Sequence, residues 1–345
     1  MKALLKKSAA PGAHYEATDD LRIKPDEVLV KIHRASICGS DLPIYNWNSW
    51  APERFKTPST FGHEFCGTIA EVGASARDFV KGDFVSVESH IFCGLCYQCQ
   101  NGQRHVCREM KIIGVDGPGG FGEYAAVPAR CAWKHKDDTL KDLGSLFEPF
   151  GNAVYSVLVE PVAAKSLLVT GCGPQGLFSI AVAKASGADP IVAVEGSAYR
   201  AELARRMGAS AVVDPSRPNV LGELLKAGKV KDGYDVVCEM SGAPAAIALA
   251  LKAVRSGGRV TAFGIPSKKV ELDWANDLIF KGVRVHGIVG REIFETWYKT
   301  DRLLRSGAVD LKPVVTHTFP LKDYEQGFAA MTSPDKKCGK VVFVP

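Results

Sequence analysis

Residues 167–195, LLVTGCGPQGLFSIAVAKASGADPIVAVE, read as a strand, a glycine turn, a helix and a second strand in one unbroken run. The apolar Leu167-Leu168-Val169 leads to Gly171-Cys172-Gly173-Pro174-Gln175-Gly176, a G-x-G-x-x-G turn, after which Leu177, Ile180, Ala181 and Ala185 fall on one side of a helix. Small residues at such a turn let a pyrophosphate approach backbone N–H groups at the positive end of the helix. The second strand, residues 191–194, closes on Glu195, at the spacing where a carboxylate accepts the ribose hydroxyls of an adenosine and repels the phosphate of NADP. NAD is therefore the expected cofactor. Arg200, Arg205 and Arg206 follow on the next helix, where arginines otherwise form a solvated face.

At 345 residues the chain is longer than one core usually serves, which predicts two domains. A hydrophobic share of 46% with 23% charged residues is that of an ordinary globular protein. The net charge of +5 is spread along the sequence, with no basic arm to suggest a nucleic-acid partner. The opening MKALLKKSAAPG is too short in apolar residues for a secretory segment, and no run of about 18 apolar residues suggests a membrane span. A cytoplasmic protein is expected, and in that compartment clustered cysteines among the ten point to metal rather than disulfides.

Before the glycine turn the pattern is β-rich. Residues 27–33 (EVLVKIH) alternate, and short strands are predicted at 65–72, 84–88 and 123–127, separated by Gly, Pro and Asp. From about residue 153 strands alternate with helices, including 201–207, 212–213, 235–239, 246–254 and 259–263, the pattern of a doubly wound parallel sheet. The turns Ser241-Gly242 and Gly264-Ile265-Pro266 fall at carboxyl ends of strands, where such sheets bind ligands. A helix over 293–305 and a strand over 341–344 suggest a return to the first domain.

Two constellations in the first domain carry metal chemistry. Cys93, Cys96, Cys99 and Cys107 stand at C-x2-C-x2-C-x7-C, and four thiolates converging on tetrahedral Zn²⁺ leave no open position, which predicts a structural site. The second is dispersed: Cys38 in ICGSD, the pair His63-Glu64 in FGHEFCG, and Glu148 in LFEPFGNAV. One thiolate, one imidazole and one carboxylate make a mixed site with a fourth position open to an alcohol. Spacing alone leaves packing and turn roles equally open for these residues.

Taken together, ICGSD, GHE, the four-cysteine lobe, EPFGNAV and GCGPQG resemble the zinc-dependent medium-chain alcohol dehydrogenase superfamily over essentially the whole chain. Within it, IYNWNSWA, VESHIFCGLCYQCQNGQRHVC and GREIFETWY resemble the L-threonine 3-dehydrogenase family. The resemblance implies an α/β protein with a GroES-like β-rich catalytic domain at 1–152 and 291–345, and a Rossmann NAD-binding domain at 153–290. It implies one catalytic and one structural zinc, a homotetramer, and NAD-linked oxidation of a small-molecule alcohol, threonine to 2-amino-3-oxobutanoate. Cys38, His63 and an acid, Glu64 or Glu148, correspond to the catalytic zinc ligands, with exchange between the two acids during the cycle. Gln175, Glu195 and Arg200 correspond to adenosine-side contacts. Phe263, Gly264 and Ile265 with Ile288 and Val289 fall where the family lines the nicotinamide. The aromatic loop with Trp47 and Trp50 is expected to help close the substrate pocket.

One position departs from the superfamily. A Ser or Thr two residues after the zinc Cys begins a proton relay that ends on a His five residues after it; Ser40 is present, but the second position is Pro43. Proline has no titratable group, so the proton needs another acceptor, water or His90. Pro43 therefore keeps a second substrate class open, a polyol, a diol or another β-hydroxy amine. A binding protein that kept this fold and lost its chemistry is a third reading, opposed by the intact set Cys38, His63, Glu64 and Glu148.

Overall fold

The alternation at residues 27–33 is realised as the strand Glu27–Ser36 in the computed structural model, which describes all 345 residues. Val28, Val30 and Ile32 are buried along it while Lys31 faces solvent. This strand is central to the first of two units, which comprises residues 1–149, 315–333 and 340–345. Its sheet runs in the order Ala132–Lys134, Phe84–Val87, Glu64–Val72, Glu27–Ser36, Lys340–Val344, Val315–Pro320, with Tyr124–Pro128 also paired to Glu27–Ser36. The register sets two facing pairs at one end of the central strand: Glu64 lies opposite Ser36, and Ser36 opposite Val342. Beneath the sheet, Phe121 packs edge-on against Phe61 at 5.1 Å and Phe343 at 5.5 Å, all three buried. Burying each such ring contributes roughly 1.5–3 kcal/mol.

The second unit holds residues 150–314 and 334–339. Six parallel strands run in the order Ala211–Val213, Ile191–Val194, Leu167–Thr170, Tyr234–Glu239, Val254–Ala262, Arg284–Gly287. The strand order reverses between Leu167–Thr170 and Tyr234–Glu239, the switch point at which such sheets bind ligands. Leu167, Leu168 and Val169 are fully buried, because a parallel sheet covered on both faces wants continuous apolar strands. The helix expected over 293–305 is Glu295–Arg305, and residues 291–314 group with this second unit; the return to the first unit comes at Val315. The edge strand is fastened by charge: Glu160 accepts from Arg284 through both oxygens at 3.1 Å and meets His286 at 2.9 Å. Those bonds, Arg284 foremost, depress the Glu160 pKa to about 2. No helix is long and apolar enough to cross a membrane.

Candidate metal centres and nucleotide turn

Cys38 follows the strand Glu27–Ser36, and the chain turns at once into the short helix Asp41–Asn46. That turn brings the Asp41 carboxylate back, its Oδ2 accepting from the Cys38 N–H at 2.8 Å. Oδ1 of the fully buried Asp41 lies 3.4 Å from His63 Nδ1, while Ser40 Oγ lies 3.4 Å from Nε2. The imidazole therefore turns one nitrogen to a carboxylate and leaves the other facing Ser40, the arrangement that orients a metal-ligating histidine. Burial works against a charged imidazolium, yet Asp41 and Cys38 outweigh it and hold the His63 pKa well above its usual value. Gly62, at φ +86°, sets His63 here: a Cβ would meet the Phe121 ring at 2.7 Å.

Cys38, His63 and Glu64 bring one ligand atom each to within 4.8 Å of one another. Glu148, in the first turn of the helix Phe147–Leu158, is outside that group; its Oε1 accepts from Ser89 Oγ at 2.6 Å. Glu64 is also engaged, by Ser36 Oγ and by Lys340 Nζ, the latter at 2.7 Å from Oε1. Burial would lower the Lys340 pKa, but Glu64 and Cys38 raise it above the usual lysine value, so the ammonium persists. His90 is buried beside Glu88, whose Oε1 accepts its backbone N–H at 2.8 Å and lies 3.7 Å from its Nδ1; it is not a member of the ligand group. Pro43 gives only its carbonyl, to the Asn48 N–H. The aromatic loop is anchored from below: Lys6 Nζ lies 5.4 Å from the Trp47 ring and donates to the Tyr45 carbonyl at 2.8 Å. Arg54, beneath the Trp50 ring at 5.9 Å, pairs with Asp116 through two bonds of 3.0 and 2.9 Å.

The four-cysteine lobe has the shape expected of it. Sulfur separations are 4.0 Å for Cys93 and Cys99, 3.8 Å for Cys96 and Cys107, and 3.5 Å for Cys93 and Cys107. A tetrahedron of sulfurs about 2.3 Å from zinc has edges of about 3.8 Å, so the donor set fits the ion. Cys93 Sγ accepts backbone N–H bonds from Leu95 and Cys96, which lower its pKa. Bonds from the Cys99 and Arg108 backbone bring Cys96 down to about 6, whereas burial pushes Cys99 up to about 12.

In the second unit the glycine turn is built as its spacing requires. Gly171 takes φ +87°; a Cβ on Gly176 would meet the Gly171 carbonyl oxygen at 1.9 Å; a Cβ on Gly173 would meet nothing within 4 Å. One glycine makes the bend, one lets the helix Pro174–Ala185 close on the strand, and Gly173 leaves open space before the helix N-terminus. Glu195 stands at the end of Ile191–Val194, its oxygens accepting from the N–H groups of Cys172 and Ser197, each at 2.8 Å. Arg200 Nε donates to the Cys338 carbonyl at 2.9 Å. Phe263, Gly264 and Ile265 follow Val254–Ala262, and Ile288 and Val289 follow Arg284–Gly287, at adjacent carboxyl ends; the Ile288 N–H donates to Ala262. Ile265 and Val289 are exposed. Gln175 is half-buried in the first turn of the helix.

Asp41 and Glu239 were not singled out from the sequence. Asp41 was legible as the acid closing ICGSD. Glu239 ends an apolar strand just as Glu195 does, and its Oε1 accepts from Ser241 Oγ at 2.6 Å and the Gly242 N–H at 3.0 Å, shaping the turn beside Gly171.

Residues 24–137 match the Alcohol dehydrogenase GroES-like domain and residues 174–306 the Zinc-binding dehydrogenase domain. The chain is 45% identical to L-threonine 3-dehydrogenase of Bacillus licheniformis, covering 100% of this chain and 99% of the relative. It is 46% identical to the L-threonine 3-dehydrogenase of Pyrococcus abyssi, covering 100% and 98%. Among solved structures, an Escherichia coli alcohol dehydrogenase complexed with NADH superposes with a TM-score of 0.91 at 26% identity, covering 100% and 99%. Two domain matches and near-complete coverage by relatives at this identity place the chain in the zinc-dependent medium-chain alcohol dehydrogenase superfamily, within the L-threonine 3-dehydrogenase family.

Proposed function

We propose that the protein oxidises the 3-hydroxyl of L-threonine to give 2-amino-3-oxobutanoate, with NAD as the oxidant. The observation that carries this reading is the approach of Cys38, His63 and Glu64 to within 4.8 Å of one another, a mixed donor set of the kind that leaves a fourth zinc position open. Bound zinc supplies a Lewis acid that acidifies a secondary alcohol, and NAD supplies the hydride acceptor.

The residues do the rest. Cys38 and His63 would hold the ion, with Glu64 or Glu148 as the third donor, and Asp41 fixes which imidazole nitrogen faces it. Cys93, Cys96, Cys99 and Cys107 would hold a second, structural zinc. Ser40, whose Oγ lies 3.4 Å from His63 Nε2, would take the substrate proton, and with Pro43 in the relay position that proton would leave through water or His90. Gly171, Gly173, Pro174, Gln175 and Gly176 would receive the pyrophosphate side of NAD, and Glu195 with Arg200 the adenosine ribose. Phe263, Gly264, Ile265, Ile288 and Val289 would line the nicotinamide. The catalytic domain is assigned to 1–152 with the chain's return, and the nucleotide domain from 153.

The family also supports a homotetrameric, cytoplasmic enzyme, the assembly being tested by sedimentation. The deciding experiment is a panel of threonine, diols and polyols with NAD and NADP in parallel on zinc-replete protein, following reduced nucleotide. Threonine turnover with NAD is expected. Turnover of a diol without threonine would replace this reading with the one that Pro43 favours, a related zinc dehydrogenase of polyols or other β-hydroxy amines.

A further inference from the structure

Lys6 ends the strand Lys2–Lys6 and is only 1% exposed, yet its ammonium meets no carboxylate. Its three donors go to three main-chain carbonyls, those of Ala10, of Gly12 at 2.8 Å and of Tyr45 at 2.8 Å. The first two belong to the turn that follows Lys6. The third lies in the last turn of the helix Asp41–Asn46, where carbonyls lack helical partners and the dipole favours a cation. The Gly12 N–H donates to the same Tyr45 oxygen at 2.8 Å. Above the ammonium, 5.4 Å away, is the Trp47 ring, on a residue held at φ 52°, a left-handed conformation that bulky side chains rarely adopt. The short helix is thus pinned at both ends. Asp41 ties its start to Cys38 and His63, and Lys6 ties its end to the aromatic loop.

We propose that Lys6 is a positioning residue that fixes the aromatic loop at residues 47–50 and so sets how tightly the alcohol substrate is held. The proposal rests on the reading of that loop as part of what closes the substrate pocket. A buried ammonium with carbonyls alone for company is costly to keep charged, and burial lowers the Lys6 pKa to about 8. While protonated, it donates to all three carbonyls; once neutral, it keeps two donors and turns a lone pair towards the third oxygen. The loop should therefore loosen in mildly alkaline solution. The other ionisable groups packed nearby are engaged elsewhere. Lys7 pairs with Glu16 at 2.5 Å, Asp41 faces His63, and Tyr324 Oη donates to the Ala13 carbonyl at 2.6 Å with Glu325 beside it. Burial raises the pKa of Tyr45 and of Tyr324, so both stay neutral over this range.

Steady-state kinetics and tryptophan emission on full-length, zinc-replete protein test the proposal. Lys6→Met should raise the KM for threonine about tenfold at about pH 7, with kcat and the Kd for NAD within about twofold of the unmodified values. Emission of the unmodified protein should pass through a transition centred at about pH 8. Lys6→Met and Trp47→Phe should both lack it, the first having no titrating group and the second no indole for that group to face. Absence of the transition from the unmodified protein, or its survival in Lys6→Met, would overturn the proposal. Trp50→Ala tests the loop separately. If its KM for threonine is unchanged, the loop does not close the pocket and the premise fails; if its KM rises while that of Lys6→Met does not, the Lys6 proposal alone is overturned. Should Lys6→Met fail to fold by circular dichroism, emission of the unmodified protein and of Trp47→Phe still decides. Emission needs no turnover, so failure of threonine oxidation is read apart from failure of the Lys6 proposal.

Discussion

At the scale of single residues, the proposed metal donors each have a neighbour: Asp41 behind His63, Ser89 on Glu148, Lys340 on Glu64. Pro43 stands where the proposed proton relay would end, and proline has no group to take the proton. Ser40→Ala is expected to lower kcat by about 100-fold, within the usual range for general acid–base groups, whereas Pro43→His changes it by less. The unmodified protein should show no inflection near about pH 6.5 in kcat/KM, and Pro43→His should introduce one; steady-state rates across pH check both. Glu195→Ala should raise the KM for NAD about tenfold, equivalent to about 1.4 kcal/mol, and allow NADP to be used. Cys38, His63 and Glu64 were legible as candidate donors from their motifs, and the structure brings one ligand atom of each to within 4.8 Å of the others. Asp41, Ser36 and Lys340 were not, since a buried hydrogen-bonding role leaves no residue-type signature: the partner is fixed by strand register across 276 positions of sequence in the case of Lys340 and Glu64.

At the scale of elements, the strand, turn and helix at residues 167–195 were readable because local sterics set them, and the glycines confirm which contact each one serves. Gly176→Ala must displace the Gly171 carbonyl, so a loss of about 2 kcal/mol or more is expected, together with weakened NAD binding; denaturant titration and fluorescence titration with nucleotide measure the two. The edge strand Arg284–Gly287 makes a pH prediction. A carboxylate whose folded pKa is depressed stabilises the fold above its ordinary value, here about 4.5, and that contribution fades as pH falls towards about 2. Thermal midpoints should therefore drop over this window, and Glu160→Gln should flatten the drop. Strands Lys2–Lys6 and Val315–Pro320 went unforeseen because they are short or weakly alternating, and pairing partners far along the chain stabilise them.

At the scale of the whole molecule, chain length indicated two domains and the change from β-rich to alternating pattern indicated where one gives way to the other. Where the chain returns was harder to see, because residues 291–314 lack any feature that distinguishes membership of one unit from the other. The four-cysteine lobe is a self-contained loop structure, so Cys96→Ser should remove one zinc per chain by metal analysis and render residues 93–107 protease-sensitive. The sheet of the first unit has a further consequence for how the protein is made. Its strands from residues 1–149 await Lys340–Val344, and the second unit's residues 150–314 are threaded as an insertion before that partner arrives. A nascent chain on the ribosome thus carries Glu64 without its counter-ion for as long as the intervening 275 or so residues take to be synthesised. Only with residue 340 does that buried carboxylate meet the ammonium that neutralises it, so this corner of the sheet is completed last.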